Sequence, residues 1–466
     1  AARPHADRGA RLMAQARGIS ALDWRGAEAV PERDLLLRDV HVLDPRTGLD
    51  EHRDIVIRDG EIAELAAPGV GEIAEGETVD GEGLSAFPAF FDPHVHLRTP
   101  GREDEEDLET GTRAAAAGGF CGILAMANTD PPVDTAAGIA ALREEARERA
   151  AIPTGFFACV TRGMGGSELT EMAELADAGA VGFSDDGLPI SNARVMRRAL
   201  SYQHLAGLPI ALHEEDPELS AGGSVHEGEV SAALGIAGIP SVSESTMIAR
   251  DAQLAAYEDA RIHVQHLSAA ESVAAVEAAK AAGVALTCEA TPHHLTLTEA
   301  ALRSLDAEFK MNPPLRSEPD RQALIEGLRS GTIDCIATDH APHSPDEKEV
   351  PIEEAAFGVI GLETAFPVIY TDLVVPGVLD LGLVVERLSG GAEPLGFSAP
   401  QIEPGAEANV VLVDTNAEWE AGAEGWESRS DNSCFAGRKL RGRVLMTVAA
   451  GRVAYRQRSF ALGVAQ

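Results

Sequence analysis

Phe91-Asp-Pro-His-Val-His-Leu-Arg98 starts like a buried strand and ends in residues able to do chemistry. His94 and His96 are two apart, so on a strand they point to the same face. Two imidazoles on one face can ligate one metal ion. A polar strand end would account for a lone His-x-His equally well. The rest of the chain favours the metal. His213 closes Pro209-Ile-Ala-Leu-His213, His266 closes Ile262-His-Val-Gln-His266, and Asp339 closes Ile333-Asp-Cys-Ile-Ala-Thr-Asp339. Four histidines and an aspartate on four strands of one barrel would converge at one mouth.

Working outward, eight apolar strand-like runs end near His94–His96, Asn128, Thr161, Asp186, His213, His266, Glu289–His293 and Asp339. Ala-, Glu- and Arg-rich stretches separate them and predict helices over 104–117, 135–150, 167–178, 191–206, 243–260 and 269–282. Eight strand–helix units predict a (β/α)8 barrel over 88–398, with its active site at the C-terminal strand ends. Short strands separated by Asp-Gly and similar turns fill 34–87 and 399–466. They predict one small β-sandwich domain built from both chain ends. Residues 1–33 are Arg- and Ala-rich without a clear apolar period and read as an extension, partly helical. The chain starts at Ala1, consistent with a missing first residue.

The 38 Lys+Arg against 75 Asp+Glu give a formal charge of -37. That excludes nucleic acid and an anionic membrane surface as main partners, since both need a basic face. The cysteines, Cys121, Cys159, Cys288, Cys335 and Cys434, are scattered and odd in number, so a disulfide framework is not expected and a reducing cytoplasm fits. No run of about 18 apolar residues appears. Phe366–Val385, the most apolar stretch, is interrupted by Pro367, Asp372, Pro376 and Asp380 and reads as buried helix and connection.

The order His94-x-His96, His213, His266, Asp339 is similar to the ligand order of the amidohydrolase superfamily. Flanking segments narrow the resemblance. Asp92-Pro-His-Val-His-Leu-Arg-Thr-Pro-Gly101, Met126-Ala-Asn-Thr129, Phe183-Ser-Asp-Asp-Gly187, Val225-His-Glu-Gly228, Lys310-Met-Asn-Pro-Pro-Leu-Arg316, Ala337-Thr-Asp-His-Ala-Pro-His343 and Phe357-Gly-Val-Ile-Gly-Leu-Glu363 together resemble the dihydroorotases of the bacterial class I type. The resemblance runs from about Asp34 to the C-terminal strands. Ala127 departs from it, standing where the family usually has Pro.

Many relatives bridge two metals with a carboxylated lysine. No lysine lies between 96 and 213 here, so a bridging group must be Asp or Glu. The resemblance picks Asp186, leaving Asp185 as a turn residue or a support. It implies His94, His96, Asp186, His213, His266 and Asp339 as metal ligands, with one or two zinc ions per chain. Metal ions lower the pKa of bound water to give hydroxide at neutral pH, and Asp339 would move the proton as general acid/base. His96, Arg98, Asn128, Asn312, His343, Phe357 and Gly358 would bind substrate, with Arg98 pairing a free carboxylate.

The polar segment 344–357 reads as a lid. His340 and His226 read as structural, and His293 and His294 as supports behind the site. The run Arg102-Glu-Asp-Glu-Glu-Asp107 reads as a solvated helix start.

The activity so implied is the reversible cyclisation of N-carbamoyl-L-aspartate to (S)-dihydroorotate in pyrimidine synthesis. The rivals are another cyclic amidohydrolase, such as an allantoinase or hydantoinase, and an inactive scaffold for aspartate carbamoyltransferase. A homodimer and a complex with that transferase are the protein partners the resemblance leaves open.

Overall fold

The computed structural model describes residues 16–27 and 33–463. Most of the 1–33 extension lies outside the described residues; the described part holds one short helical turn, Ile19–Ala21.

Phe90–Val95 and Phe120–Ala125 are buried at every position. Alternation is absent because both faces of a parallel barrel strand are covered. Parallel pairing continues through Thr154–Phe156, Phe183, Ile210–Leu212, Ile262–Val264, Leu286–Ala290 and Cys335–Ile336. Val95 then pairs with His340, and His96 N donates to His340 O at 2.8 Å, which closes the ring. The eight expected strands are therefore the eight staves of one barrel. Regular pairing stops a few residues before most of the expected ends, so the chemical residues sit in the loops just above the sheet.

The expected helices form at Leu108–Ala117, Ala136–Arg149, Met172–Ala178, Ala193–Ala206, Val242–Glu258 and Ala270–Ala281. Several start on side-chain caps: Asp107 accepts from Thr110 N, Thr135 from Gly138 N and Asn192 from Arg194 N. The apolar stretch from Phe366 starts in the buried helix Ala365–Ile369 and runs into a connection where Val375 and Val378 are exposed, and no helix among the described residues is long and apolar enough to cross a membrane.

Strands from both chain ends form a second body. Ser85–Pro88 pairs with Asp34–Asp44 on one side and antiparallel with Val410–Glu420 on the other. The sheet extends to Glu61–Ala66 at one edge and Arg452–Arg456 at the other. It curls so that Ile62 exchanges hydrogen bonds with Gly405 and Ala406. Leu37, Val42, Ile57, Ile62, Val410, Leu412 and Met446 share the enclosed core.

One piece of the N-terminal extension has a definite place. Ile19, Leu22 and Trp24 are buried in the barrel core. Thr154 N donates to Asp23 O at 3.0 Å, and Arg143 and Arg147 hold the Asp23 carboxylate. Residues 17–24 thus stop the end of the barrel opposite the C-terminal strand ends.

Candidate active site

Asp92 braces the first strand against the eighth. Its carboxylate accepts from His94 N at 3.0 Å and from Thr338 N and Oγ1 at 3.1 and 2.6 Å. Burial pushes its pKa up to about 7 despite these donors. The brace sets His94 beside Asp339. His94 Nε2 and His96 Nε2 lie 3.4 and 3.1 Å from Asp339 Oδ1.

The same two nitrogens lie 3.7 and 3.4 Å from Asp186 Oδ2. Asp186 Oδ1 faces the other way, 3.7 Å from His213 Nδ1 and 3.7 Å from His266 Nε2. One carboxylate therefore stands between two histidine pairs. His213 Nδ1 and His266 Nε2 are 2.8 Å apart. His266 and Asp339 have left-handed φ of 30° and 49°, and Arg98 has 57°. Such strain costs free energy and collects at functional sites.

Burial opposes charge throughout this cluster, yet the carboxylates and imidazoles overcome it together. Asp186, Asp339 and Glu289 hold His94 well above its ordinary pKa. The histidines hold Asp186 and Asp339 below theirs. Burial lowers His96, helped by the nearby Arg98 charge and opposed by the carboxylates.

A divalent cation fits this donor set. His94, Asp186 and His266, and again His94, His96 and Asp339, present ligand atoms within 4.8 Å of one another. Asp186 Oδ1 is buried with no hydrogen-bond partner. Among the described residues no Lys or Arg pairs with Asp186 or Asp339, so these buried carboxylates lack a fixed counter-charge. Nitrogen and oxygen donors in this number suit zinc and its neighbours.

Beside the cluster, Asn128 Oδ1 lies 2.9 Å from His96 Nδ1, and its amide nitrogen donates to Asp186 O at 3.3 Å. Asn312 Nδ2 lies 3.5 Å from His213 Nε2, and its buried Oδ1 has no partner. A cleft of about 300 Å³ over this region is lined by Asn128, Pro132, Met164, Asp186 and Leu188. Arg98 Nε donates to Pro342 O at 3.0 Å, and Arg98 Nη2 is 3.2 Å from His343 Nε2. His343 Nε2 also lies 2.8 Å from Phe357 O. A Cβ on Gly358 would stand 2.6 Å from Ala341 Cβ, at a φ of 134°, so only glycine lets this loop approach.

The 344–357 segment is pinned at several points. Glu347 pairs with Arg102 and accepts from His343 Nδ1 at 2.7 Å. Lys348 Nζ donates to the carbonyls of Lys310, Ala356 and Gly358. Residues 427–432 of the C-terminal β segment reach across to these loops. Asn432 Oδ1 accepts from His343 N, and its amide donates to Ala341 O and Gly358 O.

The 102–107 acidic run corrects the expectation of a solvated helix start. Glu105 and Glu106 are fully buried and Asp107 is 4% exposed. Glu105 pairs with Arg102 and lies 3.5 Å from Arg98 Nε, while Glu106 bonds Ser428 and His340. His340 thereby faces away from Asp339. His226 contacts Arg316 at 3.2 Å. His293 and His294 are buried in the short helix Pro292–Thr296, behind the histidine cluster. Glu289 was not foreseen: it lies 2.7 Å from His94 Nδ1, and a lone Glu at a strand end carries no signal of that.

The chain is similar to known proteins in sequence and in fold. Residues 85–272 match the Dihydro-orotase-like family model. A dihydroorotase from Geobacter sp. is 43% identical over 423 residues, 91% of this chain and 99% of its own. A dihydroorotase from Pelotomaculum thermopropionicum is 44% identical over 425 residues, with the same coverage. Among solved structures, the L-hydantoinase (dihydropyrimidinase) of Arthrobacter aurescens superposes with a TM-score of 0.80 at 24% identity, over 90% of this chain and 96% of its own. The dihydropyrimidinase of Brevibacillus agri gives 0.78 at 22%, over 91% and 95%. These structures share the fold, a barrel with a β-sandwich. Sequence identity above 40% along nine-tenths of its length carries the stronger statement, that this chain belongs to the dihydroorotase family of cyclic amidohydrolases.

Proposed function

We propose that the protein is a zinc-dependent dihydroorotase. It interconverts N-carbamoyl-L-aspartate and (S)-dihydroorotate plus water in pyrimidine synthesis. The observation that carries this reading is Asp186 standing between two histidine pairs, with a buried arginine alongside. His94, His96, Asp186, His213, His266 and Asp339 would hold one or two zinc ions. When bound, zinc would supply the positive charge that polarises the reacting carbonyl and lowers the pKa of water there.

The side chains do the rest. In ring opening, a water oxygen bonds to the ring amide carbon and the C–N bond breaks. Asp339 takes the water proton on its carboxylate and passes it to the leaving nitrogen. In cyclisation Asp339 takes the ureido proton and the displaced oxygen leaves as water. Its low pKa keeps the carboxylate ionised and open to a proton. Arg98 holds the free carboxylate of the substrate, assisted by His96, Asn128 and His343. Asn312, Phe357 and Gly358 contact the ring, and the 344–357 segment excludes water.

The reading divides the chain into the extension 1–33, the β domain 34–87 and 399–466, and the barrel 88–398. It places the enzyme in the cytoplasm. Arg98 favours an anionic ring over the uncharged rings of a hydantoinase. The test is a ring-opening assay with dihydroorotate, run with metal analysis of protein purified without chelator. Turnover with one or two zinc ions per chain is expected. Full activity in metal-free protein, or equal rates with hydantoin, overturns the reading.

A further inference from the structure

Beneath the histidine cluster lies a carboxylate that, among the described residues, pairs with histidines and with no Lys or Arg. Glu289 ends the seventh barrel strand and is fully buried. Its Oε1 is 2.7 Å from His94 Nδ1 and its Oε2 is 2.9 Å from His263 Nε2. The backbone N of His266, a residue held at a left-handed φ of 30°, reaches Oε1 at 3.3 Å. His263 Nδ1 in turn lies 2.9 Å from Thr287 Oγ1.

A carboxylate can only accept hydrogen bonds. The facing nitrogens, His94 Nδ1 and His263 Nε2, must therefore carry protons. With Nδ1 protonated, the neutral His94 ring directs its lone pair from Nε2, the atom that faces Asp186 and Asp339. Thr287 makes the arrangement consistent, since its hydroxyl can donate to the unprotonated Nδ1 of His263.

We infer that Glu289 is a positioning residue: it selects the metal-binding tautomer of His94 and fixes the backbone that presents His266. This deepens the functional reading above and rests on His94 holding a metal. A carboxylate behind a ligating histidine orients the ring and raises its basicity. Glu289 touches two of the six candidate ligands from behind, one through its ring and one through its backbone.

Glu289→Gln tests the assignment. The amide offers one acceptor and one donor group to two ring N–H groups, so one imidazole loses its partner or changes tautomer. Zinc affinity, read by competition with a chromogenic chelator, should fall roughly 10–100-fold. In zinc-saturated protein kcat should fall while KM for dihydroorotate stays within about twofold. Equal zinc affinity in the folded variant overturns the inference, even if the melting temperature drops. Native protein that binds no zinc overturns the functional reading instead. A measurement on native zinc-loaded protein needs no variant: long-range 1H–15N correlation of the His94 ring should place its proton on Nδ1. A proton on Nε2 alone overturns the inference.

Discussion

Asp185 and Asp186 are neighbours in sequence whose carboxylates face different parts of the molecule. Asp185 Oδ1 accepts from Val160 N at 2.7 Å and its Oδ2 bonds Thr161, so it ties the third strand to the fourth. Asp186 faces the four histidines. Asp186→Ala should abolish activity and lower zinc stoichiometry while the protein stays folded. Asp185→Ala should keep its zinc but lose stability by about 1–3 kcal/mol, because buried donors lose their acceptor. Metal analysis and thermal melting of both variants check the pair. The reverse ranking moves the bridge by one residue.

Asp339→Asn should fold normally and lose roughly 10²–10⁴-fold in kcat, the usual worth of a positioned proton-transfer group. The amide keeps the shape but cannot take the proton. Steady-state kinetics in the ring-opening direction give the answer; near-native turnover would mean the proton travels elsewhere.

The chain is strongly negative, so long-range steering cannot draw in an anionic substrate. Affinity must be local. Arg98→Met should cost about 2–5 kcal/mol in kcat/KM for dihydroorotate. Dihydrouracil, which lacks the carboxylate, should be a poor substrate of the native enzyme and little affected by the change. The variant should also melt earlier, because Glu105, already short of one hydrogen-bond partner, loses the guanidinium beside it.

Glu363 makes a pH prediction. Its carboxyl is pushed up to about 7 by burial, with Glu427 and Glu106 adding to the shift, although Glu427 N and Ser428 N donate to it. A folded-state pKa above the unfolded value means the native state holds the proton longer. The contribution is fully present below about pH 4.5 and is lost as pH rises through about 7. Glu363→Gln, which keeps an acceptor for both amides, should therefore raise the melting temperature at pH 8 and change it little at pH 4.5. Equal effects at both values would place the shift on another group.

The barrel and five of the six clustered residues were legible in the sequence for a physical reason, while Asp186 rather than Asp185 came from the family resemblance. Parallel strands buried on both faces are uninterrupted apolar runs, and a mouth residue such as His213 or Asp339 ends the run. Glu289 was not legible, because its meaning depends on His94, 195 residues away. The acidic run at 102–107 misled for a similar reason. Charge density reads as solvation, yet Ser428, from the other end of the chain, buries Glu106. Ile19, Leu22 and Trp24 follow no period because they plug the barrel end from one short helical turn, Ile19–Ala21, and the few residues after it.

Asn432 has a consequence in time. Synthesis passes the eighth barrel strand at Ile336 and the glycine loop at Gly358 long before it reaches this residue. A chain still on the ribosome at that stage can close its barrel, but the amide that joins the His343 loop to Gly358 does not yet exist. The proposed substrate loop is therefore a late-arriving part of this polypeptide, joined by a segment that contributes none of the proposed metal ligands.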